Sequence, residues 1–233
     1  MIKFNLKLVL LIFFLLIPFK QIQSAEMVEP IKVDWSFKGL TGTFDRASLQ
    51  RGFQVYKEVC ASCHSMQYLS YRNLGEAGGP EFSDQEVKAI AASFEIQDGP
   101  DDQGEMFTRP GRPSDKFKNP YPNVQAAIAA NGGAYPPDMS VLVKARKGGA
   151  NYIYSVLVGY EDPPPGVTLD DGVYYNKYMI GNKIKMPNNL SDGLVEYSDG
   201  TESTVDQMAK DVTTFLAWAA EPELEERHKT GVK

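Results

Sequence analysis

The first long stretch with helical patterning lies in the first quarter of the chain. Leu49, Phe53 and Tyr56 recur at intervals of four and three residues, so they share one face of a helix. Asp45 is placed to cap that helix, which we expect to run to about residue 60. Gly52 lies beside this face and leaves room for the close approach of a second helix.

Two further stretches carry the same spacing. Ser83 and Glu86 form a capping box, and the apolar residues behind it predict a helix to about residue 96. Ser203 is placed to cap the clearest helix, which ends just before Pro222. Its apolar stripe consists of Val205, Met208, Val212, Phe215, Leu216 and Ala219.

Shorter elements fill the middle of the chain. We expect helices over 123–130 and 151–158, and another that starts at Asp138 or Ser140 and ends at 148–149. Residues 97–122 are dense in Gly, Pro and Asp, which predicts a long ordered loop, and 166–185 predicts a β hairpin. The fold class is therefore mainly α, with long irregular connections.

The N-terminus has the layout of a secretory signal peptide. Two lysines precede an unbroken apolar run over 8–17, and Ser24 and Ala25 precede an acidic residue. We predict cleavage after residue 25, which leaves a domain over 26–233; an uncleaved anchor is the alternative. The run is shorter than the roughly 20 residues of a membrane span.

Charge and composition narrow the function. The chain of 233 residues has a formal net charge of −6, and loss of the three leader lysines would give −9. Such acidity disfavours a nucleic-acid partner. The two histidines and two cysteines are too few for multi-histidine or tetra-cysteine zinc sites.

Both cysteines and one histidine form a single motif, Cys60-Ala61-Ser62-Cys63-His64. This C-x-x-C-H spacing is typical of covalent haem attachment, in which two thiols bind the haem vinyl groups and the histidine binds the iron. A thioredoxin-like redox pair, a zinc half-site and a strained disulfide are the competing interpretations.

A haem iron bound by His64 needs a ligand on its other face, and methionine is a common choice. Pro187 stiffens the segment after Met186, so we predict Met186 as that ligand, with Met179 as runner-up. The other histidine, His228, lies in a highly charged tail, where we expect solvation instead.

Longer segments carry a family resemblance. The stretches FDRASLQRGFQVYKEVCASCHSM, KARKGGANYIYSVLVGY and YSDGTESTVDQMAKDVTTFLAWAAEPE resemble the cytochrome c1 family, as do QDGPDDQGEMF and PYPNVQAA with AANGGAYPPDMS. The resemblance extends from about residue 30 to the end. It implies a class I cytochrome c-like helical core and one covalently attached haem c.

The resemblance also implies residue roles. Cys60 and Cys63 would hold the haem, and His64 and Met186 would be its axial ligands. The remaining pocket residues would be Asn131, Ala134, Pro136, Pro137, Arg146 and Tyr152, with Arg146 facing a haem propionate.

The sequence departs from the family near the ligand methionine. Lys185 stands where the family usually has a small residue. The Pro-rich stretch that follows is reduced to Pro187-Asn188-Asn189.

The family resemblance implies partners and a location. A member carries electrons from the Rieske iron–sulfur protein to a soluble cytochrome c, beside cytochrome b in the ubiquinol–cytochrome c reductase complex. It is not an enzyme by itself, and it works on the periplasmic face of the bacterial inner membrane. The family's C-terminal membrane helix is absent from this sequence.

Three rival functions stay open on the sequence. A soluble periplasmic monohaem cytochrome serving a dehydrogenase would share the motif, although 122 residues separate His64 from Met186. A haem peroxidase would need an open iron site. A thiol–disulfide protein would hold no haem.

Overall fold

The computed structural model describes residues 28–231, so the predicted signal peptide lies outside the described residues. Most of the ordered elements are helical, as predicted. The six α-helices of this part of the chain are α1 Arg46–Glu58, α2 Asp84–Ala92, α3 Val124–Ala130, α4 Gly149–Val158, α5 Val205–Ala220 and α6 Leu224–Gly231. The four short strands are β1 Glu95–Asp98, β2 Phe107–Pro110, β3 Tyr174–Tyr175 and β4 Lys183–Ile184.

Helices α1 and α5 cross at the centre of the core. Asp45 caps α1 by accepting a hydrogen bond from Ser48 N, and Leu49, Phe53 and Tyr56 are buried, as predicted. A Cβ atom at Gly52 would lie 2.1 Å from the backbone oxygen of Asp211 in α5. Only glycine allows the two backbones to approach this closely.

The predicted extent of α2 was wrong at its C-terminal end. The capping box of Ser83 and Glu86 is present, but the helix ends at Ala92 instead of continuing to about residue 96. The chain then forms β1, which pairs antiparallel with β2 inside the predicted loop 97–122. Gly111, which directly follows β2, lies close to the end of α2, since a Cβ at this position would lie 2.4 Å from the Ala91 carbonyl oxygen.

The helix expected from Asp138 or Ser140 was also wrong. Turns occupy this stretch, with Ala145 N bonded to Val141 O at 3.0 Å. Asp138 and Ser140 bind a different segment instead of capping a helix. The Asp138 carboxylate accepts from Ser65 Oγ, and Ser140 Oγ accepts from Tyr68 N.

The other local predictions hold with small shifts. Helix α3 lies within 123–130, α4 begins two residues earlier than predicted, and β3 pairs with β4 in the predicted hairpin region. The cap of α5 is Thr204 and not Ser203, because Thr204 accepts the bond from Gln207 N. The apolar stripe of α5 is buried apart from its first residue, which is half-buried.

The charged tail folds against the body of the protein, contrary to the predicted solvation. Glu225 of α6 is 6% exposed and accepts hydrogen bonds from Arg46 and from Phe44 N. A ring nitrogen of His228 lies 2.8 Å from the Gly42 carbonyl oxygen. Within residues 28–231, no helix has the length and apolar content needed to cross a membrane.

Candidate functional site

The C-x-x-C-H motif folds as a tight turn directly after α1. Residues Cys60–Ser62 form a 3₁₀ turn, and the N–H groups of Cys63 and His64 both donate to the Cys60 carbonyl. The packed end of α1 thus fixes where both thiols lie. The two cysteines are free thiols, so the disulfide alternative does not describe this structure.

His64 is buried and oriented through one ring nitrogen. It is 8% exposed, and its Nδ1 lies 2.8 Å from the carbonyl oxygen of Pro137. A carbonyl only accepts, so Nδ1 carries the proton and Nε2 keeps a free lone pair. Burial lowers the pKa of His64, although the bond to Pro137 opposes this. A neutral imidazole held by a backbone carbonyl is the usual state of a metal-ligating histidine.

A cavity with about 450 Å³ of empty space brings the predicted ligands together. Cys60, Cys63, His64 and Met186 all line it, although Met186 lies 122 residues beyond His64. The remaining lining residues are Val59, Met139, Leu157, Tyr160, Pro187, Asn188, Asn189 and Leu190.

The methionines separate into one strong candidate and two weaker ones. Met186 comes from a different segment than His64, and its backbone oxygen accepts a hydrogen bond from Tyr160 OH at 2.9 Å. Met139 lines the cavity too, but its backbone N–H is bonded to Ser65, next to His64. The runner-up Met179 lies outside the lining, and its sulfur accepts from Tyr152 OH at 3.3 Å.

A second cavity adjoins the first, because Cys63 lines both. Pro136, which the family resemblance implies as a pocket residue, lines this second cavity. Asn131 reaches it through Tyr121: Asn131 Nδ2 donates to Tyr121 OH at 3.1 Å, and Tyr121 OH lies 3.8 Å from Cys63 Sγ. Together these contacts order the turn around one thiol.

The other predicted pocket residues lie further out. Ala134 is half-buried in the turn after α3, where its N–H bonds to Asn131 O. Arg146 is exposed and donates to the Ala145 carbonyl, with no ion pair to any described residue. Burial raises the pKa of the Tyr152 phenol, and the nearby Arg146 charge partly offsets this. None of the three lines either cavity.

Sequence reasoning missed two tyrosines at this site. Tyr160 holds the backbone of Met186, and Tyr121 contacts Cys63. Tyr121 stands between two prolines and Tyr160 follows the glycine that ends α4. These positions mark rigid loop residues but do not reveal a contact with a segment elsewhere in the sequence.

The donor set fits a covalently attached haem. Two thiols, an imidazole with a free nitrogen and a thioether converge on one largely apolar cavity. Burial raises the pKa of the Cys60 thiol to about 12, with a smaller contribution from Cys63, so the thiol stays protonated at neutral pH.

Comparison with known proteins gives one consistent family. A family model described as "Cytochrome C1 family" matches residues 35–233. The potato mitochondrial heme protein cytochrome c1-2 is 55% identical over 199 residues, covering 85% of this chain and 75% of its own length. Cytochrome c1 of Rhodospirillum rubrum is 50% identical over 218 residues, covering 87% and 79%.

A third relative has a different length. The cytochrome b/c1 protein of Bradyrhizobium diazoefficiens is 53% identical over 216 residues. The match covers 84% of this chain but only 31% of that protein.

Proposed function

This chain belongs to the cytochrome c1 family, and from that premise we propose that it is the haem-bearing electron-transfer subunit of a ubiquinol–cytochrome c reductase complex. The main support for this proposal is that Cys60, Cys63, His64 and Met186 line the same cavity. A thiol–disulfide protein would need neither the buried imidazole nor the thioether in that cavity.

Each of these residues has a role that follows from its chemistry. Cys60 and Cys63 would hold one haem c through thioether bonds to its vinyl groups. The imidazole of His64 and the thioether of Met186 would bind its iron. When bound, the haem would supply a one-electron couple at its iron. Because two protein side chains would serve the iron, the site would favour electron transfer over peroxidase chemistry.

The pocket residues act around this core. Pro137 orients the His64 ring through its carbonyl oxygen, and Asn131 supports the turn beside Cys63 through Tyr121. Arg146 is a cation with no ion-pair partner among the described residues, so its guanidinium can face a haem propionate. Pro136 forms part of the wall of the second cavity beside Cys63, whereas Ala134 and Tyr152 lie outside both cavities.

The partners follow from the family. The Bradyrhizobium relative joins cytochrome b and c1 in its name, which supports cytochrome b as the membrane partner. We further propose the Rieske iron–sulfur protein as electron donor and a soluble cytochrome c as acceptor. The predicted signal peptide supports the periplasmic face of the inner membrane as the location of this reaction. Quinol oxidation belongs to the whole complex, and this subunit alone makes and breaks no substrate bonds.

Rapid mixing tests both electron transfers. We expect the ferric holoprotein to be reduced by a reduced soluble Rieske fragment, and the ferrous form to reduce a soluble cytochrome c. The acidic mature chain should steer a basic acceptor, so the second rate constant should fall as salt rises. A holoprotein that dithionite reduces but the iron–sulfur protein does not would contradict the proposal. It would favour a monohaem cytochrome that serves a dehydrogenase.

A further inference from the structure

Lys185, the residue before the ligand methionine, makes a contact that the family resemblance does not imply. Its Nζ donates to the backbone oxygen of Gly132 at 2.7 Å, 53 residues earlier in the chain. The side chain is exposed, so its ammonium stays charged in water while it makes this bond.

The acceptor lies in a turn that is itself well fixed. Gly132 and Gly133 have φ of 57° and 84°, the left-handed region that glycine tolerates best, and they follow the end of α3. Gly133 N donates to Ile128 O at 2.9 Å, which closes the helix end. The Gly132 oxygen is thus presented on a rigid turn, where a lysine also interacts favourably with the carbonyl end of the helix.

A second bond holds the same segment from another side. Tyr160 OH donates to the Met186 backbone oxygen at 2.9 Å. The methionine segment is therefore tied at two adjacent residues, to the α3 turn through Lys185 and to the end of α4 through Tyr160. The residues immediately before this segment form strand β4, which is held by its pairing with β3.

We propose that Lys185 is a positioning residue for Met186, because its bond to Gly132 ties the methionine segment to the turn after α3. The inference rests on the proposed function, because Met186 needs positioning only if its sulfur binds the haem iron. A thioether is a weak ligand, and each excursion of its segment opens the iron to competing ligands. The bond from Lys185 to Gly132 opposes such excursions.

Imidazole binding to the ferric holoprotein measures these excursions. The apparent affinity scales with the fraction of molecules in which the iron position is open. Replacing Lys185 by Met keeps the length of the side chain and removes the donor, so imidazole should bind about two- to twelvefold more tightly, the effect of one ordinary hydrogen bond. Lys185→Arg keeps a cationic donor and should restore most of the wild-type affinity.

Lys183→Met is the matched control. It removes the same charge two residues away, and the Lys183 side chain has no hydrogen bond or ion pair with a described residue. It should leave imidazole affinity unchanged, and the denaturant midpoint should be similar in all variants. Equal affinities in wild type and Lys185→Met, or an equal rise in Lys183→Met, would overturn the inference.

Two separate readouts distinguish failure of the Lys185 role from failure of the proposed function. Wild-type ferric protein should show the weak sulfur-to-iron absorption at the red edge of the spectrum. Its absence would refute Met186 as a ligand and the role of Lys185 with it. Its presence, with imidazole affinity unmoved in Lys185→Met, would refute the Lys185 role alone.

Discussion

The Pro137 carbonyl oxygen lies 2.8 Å from Nδ1 of His64 and joins two segments separated by 73 residues. The carboxylate of the next residue, Asp138, accepts hydrogen bonds from Ser65 Oγ and Gln67 N, so three hydrogen bonds join the two segments beside the imidazole. The histidine ring is therefore oriented by backbone on one side before any ligand binds on the other. The second iron ligand would then come from the segment around Met186, which lines the same cavity as His64.

Replacing Met186 by Leu tests that choice. The substitution keeps an apolar side chain of similar volume but removes the sulfur, so the sulfur-to-iron absorption of the ferric spectrum should disappear. The reduction potential should also fall, because methionine ligation raises it relative to other ligands.

Met179→Leu is the control for this prediction. Met179 sulfur accepts from Tyr152 OH and is outside the cavity lining, so this variant should keep the absorption. Loss of the band in Met179→Leu with retention in Met186→Leu would reverse the assignment.

Removing the guanidinium of Arg146 tests the propionate contact. If Arg146 faces a propionate as proposed, Arg146→Gln removes a positive charge near the haem, which favours the ferric state and should lower the reduction potential. Because Arg146 is exposed, the free energy of unfolding should change by no more than about 1 kcal/mol.

Lys147→Gln supplies the comparison, since it removes an equal charge from the adjacent exposed residue. Redox titration of both variants would decide. Equal shifts of the reduction potential in the two variants would mean that Arg146 is an ordinary surface cation.

The buried Glu225 makes stability depend on pH in a defined direction. Hydrogen bonds from Arg46 lower the pKa of Glu225 below its usual value of 4.5, despite burial. A carboxyl with a lowered folded-state pKa stabilises the protein above its unfolded-state pKa, and this contribution is lost as pH falls through the folded-state value. Glu225→Gln should therefore cost about 1.5–3 kcal/mol at pH 7 and progressively less below about pH 4.5.

Urea denaturation at a series of pH values measures this difference. Glu226→Gln alters an exposed neighbour that has no side-chain partner among the described residues, and it should stay close to wild type throughout. A Glu225→Gln deficit that is constant between pH 7 and pH 3 would exclude the ionised pair as its source.

Close packing of α1 on α5 predicts a steric effect at Gly52. A Cβ there would lie 2.1 Å from Asp211 O and 2.8 Å from Phe215 Cβ, so Gly52→Ala should destabilise the protein by about 1–3 kcal/mol or more. In Gly231→Ala the new Cβ meets nothing within 4 Å, and thermal unfolding should be nearly unchanged. A wild-type melting temperature for Gly52→Ala would mean that the helices can separate without cost.

The fold was predictable where local sequence decides local structure. The stripes of α1 and α5 and the cap at Asp45 follow from periodicity and capping chemistry. The same rules failed at Asp138 and Ser140. Asp138 accepts a hydrogen bond from the nearby Ser140 N, but both side chains also bond to the segment after His64, and turns form here instead of a helix. Helix α2 ends early because the residues that follow it form β1, which pairs with the next strand, β2.

The site was predictable from its chemistry more than from its geometry. A spacing of three between the cysteines and a histidine directly after them specify haem attachment without any tertiary information. The contacts of Lys185 and Tyr160 were not predicted, because each side chain bonds to a backbone oxygen, that of Gly132 in one case and that of Met186 in the other. No side-chain pattern in a single sequence records such contacts.

Covalent attachment of one haem at Cys60 and Cys63 is the central claim, and haem staining after denaturing electrophoresis tests it most directly. Thioether bonds survive denaturant and acid acetone, so the stain should stay with the protein band, and it should be lost when both cysteines are replaced by alanine. Extraction of the haem from the wild-type protein by acid acetone, with a colourless band on the gel, would contradict the claim.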